Sequence, residues 1–90
     1  MRWSAELSHE AQRQLGRFPR NVRDRIELAI DEFEKKDDSQ WSNIKALQGA
    51  EWKGRYRKRV GAYRIIFRKF PDRSLVEISA ILIKSKDTYR

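Results

Sequence analysis

The sequence contains no cysteine, a single histidine, two prolines and no long apolar run. Without cysteine, the chain forms neither a disulfide nor a thiolate metal site. The N-terminal stretch MRWSAELSHE lacks the apolar core of a signal peptide, and the least charged stretch, residues 79–83, is far shorter than a membrane span. We therefore expect a soluble, cytoplasmic protein.

The length of 90 residues predicts one domain that spans residues 1–90. A chain this short buries only a thin core. No internal repeat, low-complexity segment or linker divides it.

Positive charge is concentrated in the C-terminal part of the chain. The formal net charge is +8. Residues 1–52 contain 9 bases and 10 acids, a net charge of −1, whereas residues 53–90 contain 12 bases and 3 acids, a net charge of +9. This asymmetry predicts a polyanionic partner, either nucleic acid or an acidic protein. The alternative is a solvated basic surface that has no partner.

The N-terminal half has the apolar spacing of two helices. Residues 2–6 fit a short first strand. Ser8 is a suitable N-cap for a first helix, which we expect Gly16 and Pro19 to end. Pro19 then suits the first turn of a second helix. Apolar residues recur along that helix with helical spacing, at Val22, Ile26, Ala29, Ile30 and Phe33.

The C-terminal half has the pattern of three strands, in residues 54–60, 63–70 and 74–83. The short connections between them imply an antiparallel meander. The intervening residues 41–52 look irregular. We therefore predict an α+β fold in which an N-terminal helical hairpin packs on a small antiparallel β-sheet.

Arginines alternate with apolar residues in two of these strands. Side chains alternate between the two faces of a strand, so Arg57 and Arg59 lie on the face of their strand opposite to Lys58. In the next strand, Arg64 and Arg68 lie on the face opposite to the apolar positions of that strand. The sequence therefore predicts one uncovered sheet face that presents Arg57, Arg59, Arg64 and Arg68.

Such a face suits phosphate, which guanidinium groups bind with a bidentate fork. It could hold a nucleic-acid backbone or stabilise charge on a phosphate under attack, and composition does not separate these uses. The alternative is an edge strand protected by charge against aggregation. His9 is the only histidine, so a two-histidine acid–base pair is excluded and we expect His9 to be a surface or capping residue. No metal site or glycine-rich phosphate loop is apparent, and we expect no cofactor.

The residues of the basic segment resemble a known family. The pattern LQG at residues 47–49, followed by YRKRVGAYRIIF at residues 56–67, is similar to the RelE/ParE superfamily of type II toxins. The chain length, the two helices and the C-terminal DTYR also fit. The resemblance implies either a RelE-like toxin, which cuts mRNA in the ribosomal A site, or a ParE-like toxin, which inhibits DNA gyrase. Both kinds are neutralised by a cognate antitoxin, which implies a toxin–antitoxin hetero-oligomer.

The resemblance also implies a catalytic set. Arg57 and Arg59 match the basic residues before the glycine turn, Arg64 matches the arginine of the next strand, and Tyr89 matches a C-terminal tyrosine. RelE-like chains usually have an arginine or a His-Arg pair four to six residues before that tyrosine, where this chain has Ile83, Lys84 and Ser85. Lys84 is the nearest cation there, and we assign it to the catalytic set. Further phosphate contacts are expected from Lys53, Arg55, Arg68 and Lys86.

The chemistry of such a site follows from RNA itself. The 2′-hydroxyl attacks the adjacent phosphate, so the reaction needs no metal. Arginines stabilise the developing charge, and Tyr89 acts as the base because neighbouring cations favour its anion. An enzyme of this kind depends on the ribosome to orient the mRNA. We therefore expect a ribosome-dependent endoribonuclease. The alternatives are a gyrase inhibitor without chemistry of its own and a basic RNA-binding module without activity.

Overall fold

The computed structural model describes residues 2–83, which form a five-stranded mixed sheet with two helices on one face. The chain begins with strand β1 (Ser4–Leu7) and continues through helices α1 (His9–Arg17) and α2 (Arg20–Lys35). Strands β2 (Ile44–Ala46), β3 (Tyr56–Val60), β4 (Tyr63–Phe70) and β5 (Leu75–Ile83) follow. The strand order across the sheet is β1-β5-β4-β3-β2.

The helices begin where capping residues allow. Ser8 caps α1: its hydroxyl accepts the Ala11 amide at 3.1 Å and donates to the Ser79 carbonyl at 2.9 Å, so the same side chain fixes α1 to β5. Pro19 is the residue directly before α2 and takes an extended conformation. Gly16, expected to end the first helix, lies inside α1, because one glycine in a helix costs only about 1 kcal/mol and packing of the helix offsets it.

The sheet differs from the expected antiparallel meander at both edges. Strand β1 pairs in parallel with β5, and β2 extends the sheet from within the segment expected to be irregular. The sheet is therefore mixed, and a strand precedes the helical hairpin. The central meander is as predicted: β3 pairs with β4 and β4 with β5, all antiparallel. Parallel pairing becomes possible because the long connection between β1 and β5 includes both helices.

The core lies between the helices and one face of the sheet. Ile26, Ile30 and Phe33 of α2 pack on Ile65 and Phe67 of β4 and on Val76, Ile78 and Ile81 of β5. The aromatic rings of Phe33 and Phe67 lie 4.8 Å apart, and Trp41 packs edge-on against Phe33 at 4.7 Å. Trp3 and Trp41 are buried in the same core. Packing of this face leaves the opposite face of the sheet, the outer face, free of helices.

Candidate nucleic-acid interface

The predicted arginines lie together on the outer face. In the register of β3 and β4, Arg59 lies directly across from Arg64, and Arg57 lies across from Ile66. Residues directly opposite each other in an antiparallel pair share a face, and Ile65 and Phe67 occupy the core face. Arg68 follows Phe67 and therefore lies on the outer face as well. The phase inferred from the sequence is thus confirmed for all four arginines.

The four guanidinium groups are not equally accessible. Arg59 and Arg68 are exposed, whereas Arg57 is half-buried. Nη1 of Arg57 donates a hydrogen bond to the Asn43 carbonyl at 2.9 Å, which ties β3 to the start of β2. Arg59 has no such bond within the described residues. It is therefore the arginine best placed to meet a ligand from solvent.

Arg64 differs from the expectation of an uncovered face. Its side chain is only 6% exposed, and Ile66 beside it is 1% exposed. Nη1 of Arg64 donates to the carbonyls of Gly61 and Tyr63, both at 2.9 Å. The guanidinium therefore holds the turn between β3 and β4 closed and is not presented to solvent.

The surroundings of Arg68 extend the basic surface to residues that the sequence analysis missed. The guanidinium groups of Arg68 and Arg73 lie 5.3 and 4.8 Å from the ring centre of Phe70, within range for cation–π attraction. The sequence could have indicated Phe70, because this residue continues the alternation of outer-face residues along β4. It could not have indicated Arg73, because that residue lies in the turn after β4. Glu77 lies across from Arg68 and reduces the positive potential there.

Two further predicted phosphate ligands lie before β3. Lys53 is exposed at the end of the short 3-10 helix Ala50–Trp52, and Arg55 is half-buried. The Arg55 carbonyl accepts the Leu47 amide at 3.0 Å, which continues the β2–β3 pairing. These two cations lie at the end of β3 remote from Gly61, so the basic outer face extends along the strand rather than around one point.

Lys58 is a base that the interface does not use. It is 3% exposed on the core face, where its ammonium pairs with the Glu32 carboxylate and donates to the Ser42 carbonyl at 2.8 Å. Burial acts to raise the pKa of Glu32, but the hydrogen bonds from Lys58 and the Ser42 amide, with the attraction of Lys58, outweigh burial and lower that pKa below its usual value. This pair fixes α2 to β3 and to Ser42, in the segment that precedes β2.

Comparisons with solved structures place this geometry in a known fold. A chain of the archaeal RelE–RelB complex from Pyrococcus horikoshii OT3 superposes with a TM-score of 0.77 at 18% identity, covering 96% of this chain and 99% of that one. A chain of the RelBE2 toxin–antitoxin complex from Mycobacterium tuberculosis gives 0.70 at 22%, covering 93% and 100%. The isolated E. coli RelE toxin gives 0.66 at 11%, covering 94% and 89%. The chain has the RelE toxin fold.

Comparisons of the sequence find no such match. No protein-family model matches the chain, and no curated protein matches it. The likeness to these three structures is therefore one of fold, at 22% identity or less.

Three of the predicted site residues, Lys84, Lys86 and Tyr89, lie outside the described residues. The last described residue is Ile83, at the end of β5, which is 59% exposed. Ile83 pairs with Tyr63 at the end of β4 next to the Gly61 turn.

The remaining features concern the single histidine, groups of metal-ligating side chains and membrane spans. His9 is exposed at the first position of α1, in agreement with a surface role. Within residues 2–83, no group of three or more His, Asp or Glu side chains is arranged to hold a metal ion. In the same range no helix is both long and apolar enough to cross a membrane.

Proposed function

We propose that the protein is the toxin of a toxin–antitoxin system and that it cuts mRNA on the ribosome. One observation carries the proposal: on a RelE fold, Arg57, Arg59, Arg64 and Arg68 share the sheet face that the helices leave free. Guanidinium groups on a rigid sheet can bind the phosphates of a nucleic-acid backbone, and such contacts contribute much of the binding free energy.

The proposed reaction is attack of the RNA 2′-hydroxyl on the adjacent phosphate, which leaves a cyclic phosphate and a free 5′-hydroxyl. Arg59 is exposed and unbound within residues 2–83, so it is the group that we assign to the phosphate oxygens. Arg57 and Arg64 add positive charge on the same sheet face, while their guanidinium groups stay hydrogen-bonded to backbone carbonyls. Preorganised charge of this kind stabilises a transition state without reorganisation.

Proton transfer is assigned to residues beyond the described range. Tyr89 is the proposed base, since a cluster of cations favours the tyrosinate anion, and Lys84 is the proposed cation near the leaving group. The ordinary pKa values of tyrosine and lysine both lie well above neutral pH, so neither residue is well suited to proton transfer there. The protein is therefore expected to act slowly on free RNA and to depend on a ribosome that orients the mRNA.

A cognate antitoxin is the second partner of this proposal. Two of the similar structures are complexes, RelE–RelB from Pyrococcus horikoshii and the toxin–antitoxin complex RelBE2 from Mycobacterium tuberculosis. Translation and mRNA decay occur in the cytoplasm, so the proposed activity requires a cytoplasmic protein.

Primer extension on a reporter mRNA in a cell-free translation reaction tests the proposal. We expect cuts within codons that require ribosomes. Removing one donor to a developing oxyanion costs about 10²–10³ in rate, so Arg59→Gln should abolish visible cutting. Arg17→Gln removes an equally exposed charge from α1 and is the matched control. Intact mRNA at high protein concentration would refute the proposal.

A ParE-like gyrase inhibitor is the second candidate, and two observations favour it. Arg64 is buried and hydrogen-bonded to its own turn. In addition, Ile83 occupies one of the positions where RelE-like chains usually have an arginine or a His-Arg pair. Loss of gyrase supercoiling activity, together with intact mRNA, would select this candidate. If RNA is bound but stays intact and gyrase is unaffected, the protein is a basic RNA-binding module.

A further inference from the structure

A cleft lies along the edge of β3, beyond the point where β2 stops pairing with it. The strand pairs of β2 and β3 end at Ile44 and Lys58, so the last residues of β3 face a space of about 330 Å³ that α2 closes on its far side. This volume is within the range of small-molecule sites. We term it the edge cleft, bounded by Leu28, Ala29, Ser42, Asn43, Val60 and Gly61.

The edge cleft has apolar walls and a polar but neutral interior. The ammonium of Lys58 and the carboxylate of Glu32 both line it, and their charges cancel because they pair with each other. Leu28 is 67% exposed and would lose contact with water if a flat ring lay against it. The apolar walls come from Leu28, Ala29 and Val60. Such an interior suits an uncharged ring with polar edges, which describes a nucleobase.

Two arginines carry unpaired positive charge at the mouth of the edge cleft. Arg59 lines the cleft, and Nη2 of Arg25 lies 2.8 Å from the point where a Cβ on Gly61 would stand. Both arginines are exposed, and within residues 2–83 no ion pair engages either of them. Guanidinium groups in this state are suited to phosphate. Because Arg59 also belongs to the outer face, a phosphate held here continues the path of a backbone along that face.

Asn43 gives the edge cleft a group that can distinguish between bases. Its φ is +62°, and its carbonyl accepts the Arg59 amide at 3.0 Å and Nη1 of Arg57 at 2.9 Å, so its backbone is held from two sides. Within residues 2–83 the side-chain amide of Asn43 forms no hydrogen bond. A free amide offers a donor and an acceptor side by side, and this pair matches the edge of adenine.

We propose that the edge cleft binds the base of a single-stranded RNA nucleotide, with a preference for adenine, and that Arg25 and Arg59 hold the adjoining phosphate. Bases of single-stranded RNA can be splayed out of the stack and recognised by hydrogen bonds to their edges. The proposal rests on the proposed function only in placing this nucleotide beside the phosphate that is cut. Binding of the base itself follows from the cleft alone.

NMR titration of the full chain with the four ribonucleoside 5′-monophosphates and with ribose 5-phosphate tests the proposal. We expect the nucleotides to shift the amides of residues 28–29, 42–43 and 59–61, and adenosine monophosphate to bind about fivefold more tightly than the other three. Ribose 5-phosphate has no base, so it should bind more weakly and leave the amides of residues 28–29 and 42–43 unshifted. If ribose 5-phosphate binds as tightly as adenosine monophosphate, or if the shifts lie away from the cleft, the proposal is wrong.

Replacement of Asn43 tests the preference for adenine. Asn43→Gly removes the amide and keeps the backbone, because glycine adopts a positive φ without strain. We expect this variant to bind all four nucleotides with equal affinity. Asn43→Asp keeps the shape of the side chain but loses the donor, so it should lose the preference as well and serves where the glycine variant does not fold. A preference for adenine that survives in a folded variant would contradict the role of Asn43.

Replacement of Arg25 tests the phosphate contact. Arg25→Gln loses one exposed charge pair, so every nucleotide and ribose 5-phosphate should bind about two- to fivefold more weakly. Arg17→Gln removes an equally exposed charge from α1 and should bind like wild type. Equal weakening in both variants would mean that the net charge of the molecule attracts the phosphate and that Arg25 does not hold it.

The mRNA-cutting assay separates this proposal from the proposed function. Wild type should cut preferentially beside adenine, whereas Asn43→Gly should cut without this preference. Cutting by wild type without regard to adenine would overturn the placement of the nucleotide beside the cut phosphate. If wild type leaves mRNA intact, the proposed function fails, and the nucleotide titration still decides whether the edge cleft binds a base.

Discussion

At the scale of single residues, the buried Lys58–Glu32 pair is the contact on which stability should depend most. The ammonium of Lys58 is buried and bonded to Glu32 and Ser42. Lys58→Met leaves the partly buried Glu32 carboxylate with only the exposed Lys36, at 3.6 Å, as a counter-charge. We expect a loss of about 1–3 kcal/mol in the free energy of unfolding, measured by urea denaturation.

A double variant supplies the control for this loss. Lys58→Met combined with Glu32→Leu removes both charges and keeps the side-chain volumes, so most of the lost stability should return. If the double variant is as unstable as Lys58→Met alone, the stability comes from packing of the lysine stem and not from the charge pair.

The same pair makes stability depend on pH in acid. The pKa of Glu32 is lower in the folded protein than in the unfolded chain, so its contribution is present above the unfolded value of about 4.3 and is lost as pH falls through the folded value. NMR titration should give a depressed pKa for Glu32 in wild type. In Lys58→Met that pKa should rise, because burial persists while the main favourable bond is lost. An unchanged pKa would show that Lys58 does not set it.

How far these residues could be predicted depends on what determines their environment. Strand alternation placed Arg57, Arg59, Arg64 and Arg68 on one face, because that property is local. The partner of Lys58 lies 26 residues away on α2, so the buried pair required the fold. The capture of Arg64 by the turn also lay beyond the sequence, since a guanidinium on a strand can equally extend into solvent.

At the scale of elements, the glycines of the β3–β4 turn and of α1 are expected to respond oppositely to the same substitution. Gly61 has a φ of +59°, and a Cβ there would lie 2.8 Å from Nη2 of Arg25. Gly61→Ala should therefore cost about 1–2 kcal/mol of the free energy of unfolding, since an L-residue is strained in this region. Thermal or urea unfolding measures the loss.

Gly16 provides the matched substitution. It lies inside α1, and a Cβ there meets no atom within 4 Å. Gly16→Ala should raise the free energy of unfolding by about 0.5–1 kcal/mol, because alanine loses less backbone entropy in a helix. A loss of stability at Gly16 would contradict the helical conformation assigned to it.

The elements themselves were predicted to different degrees. The hairpin pattern of β3, β4 and β5 was clear because alternation and turn residues act over short distances. Strand β2 has three residues, too few for a periodic signal, and its pairing is set by β3. The parallel partner of β1 lies 71 residues away, so the sequence could indicate that residues 2–6 are a strand but not where the strand lies.

At the scale of the whole molecule, the strand arginines are separated from the outward acids of α2. The net charge of +9 in residues 53–90 predicted a basic surface, and the fold gathers its strand arginines on the outer face. The acids Asp24, Glu27 and Asp31 of α2 were hidden in residues 1–52, whose net charge of −1 averages them with the neighbouring arginines. Only the helix geometry separates the two kinds of side chain.

This separation predicts how RNA binding responds to salt. The logarithm of the binding constant for single-stranded RNA should fall linearly with the logarithm of the salt concentration, with a slope of about −0.7 for each phosphate contact. Removing two exposed outer-face charges with Arg59→Gln/Arg68→Gln should therefore make the slope shallower by about 1.4. Fluorescence anisotropy over a range of salt concentrations measures it.

The control for this prediction removes the same charge from the helical side. Arg17 and Arg20 are both exposed, and neither lies on the sheet. Arg17→Gln/Arg20→Gln lowers the net charge equally, so the general attraction weakens, but the slope should stay near that of wild type because no phosphate contact is lost. If both double variants change the slope to the same extent, RNA binding arises from the net charge of the molecule. The outer face would then have no special role in holding the backbone.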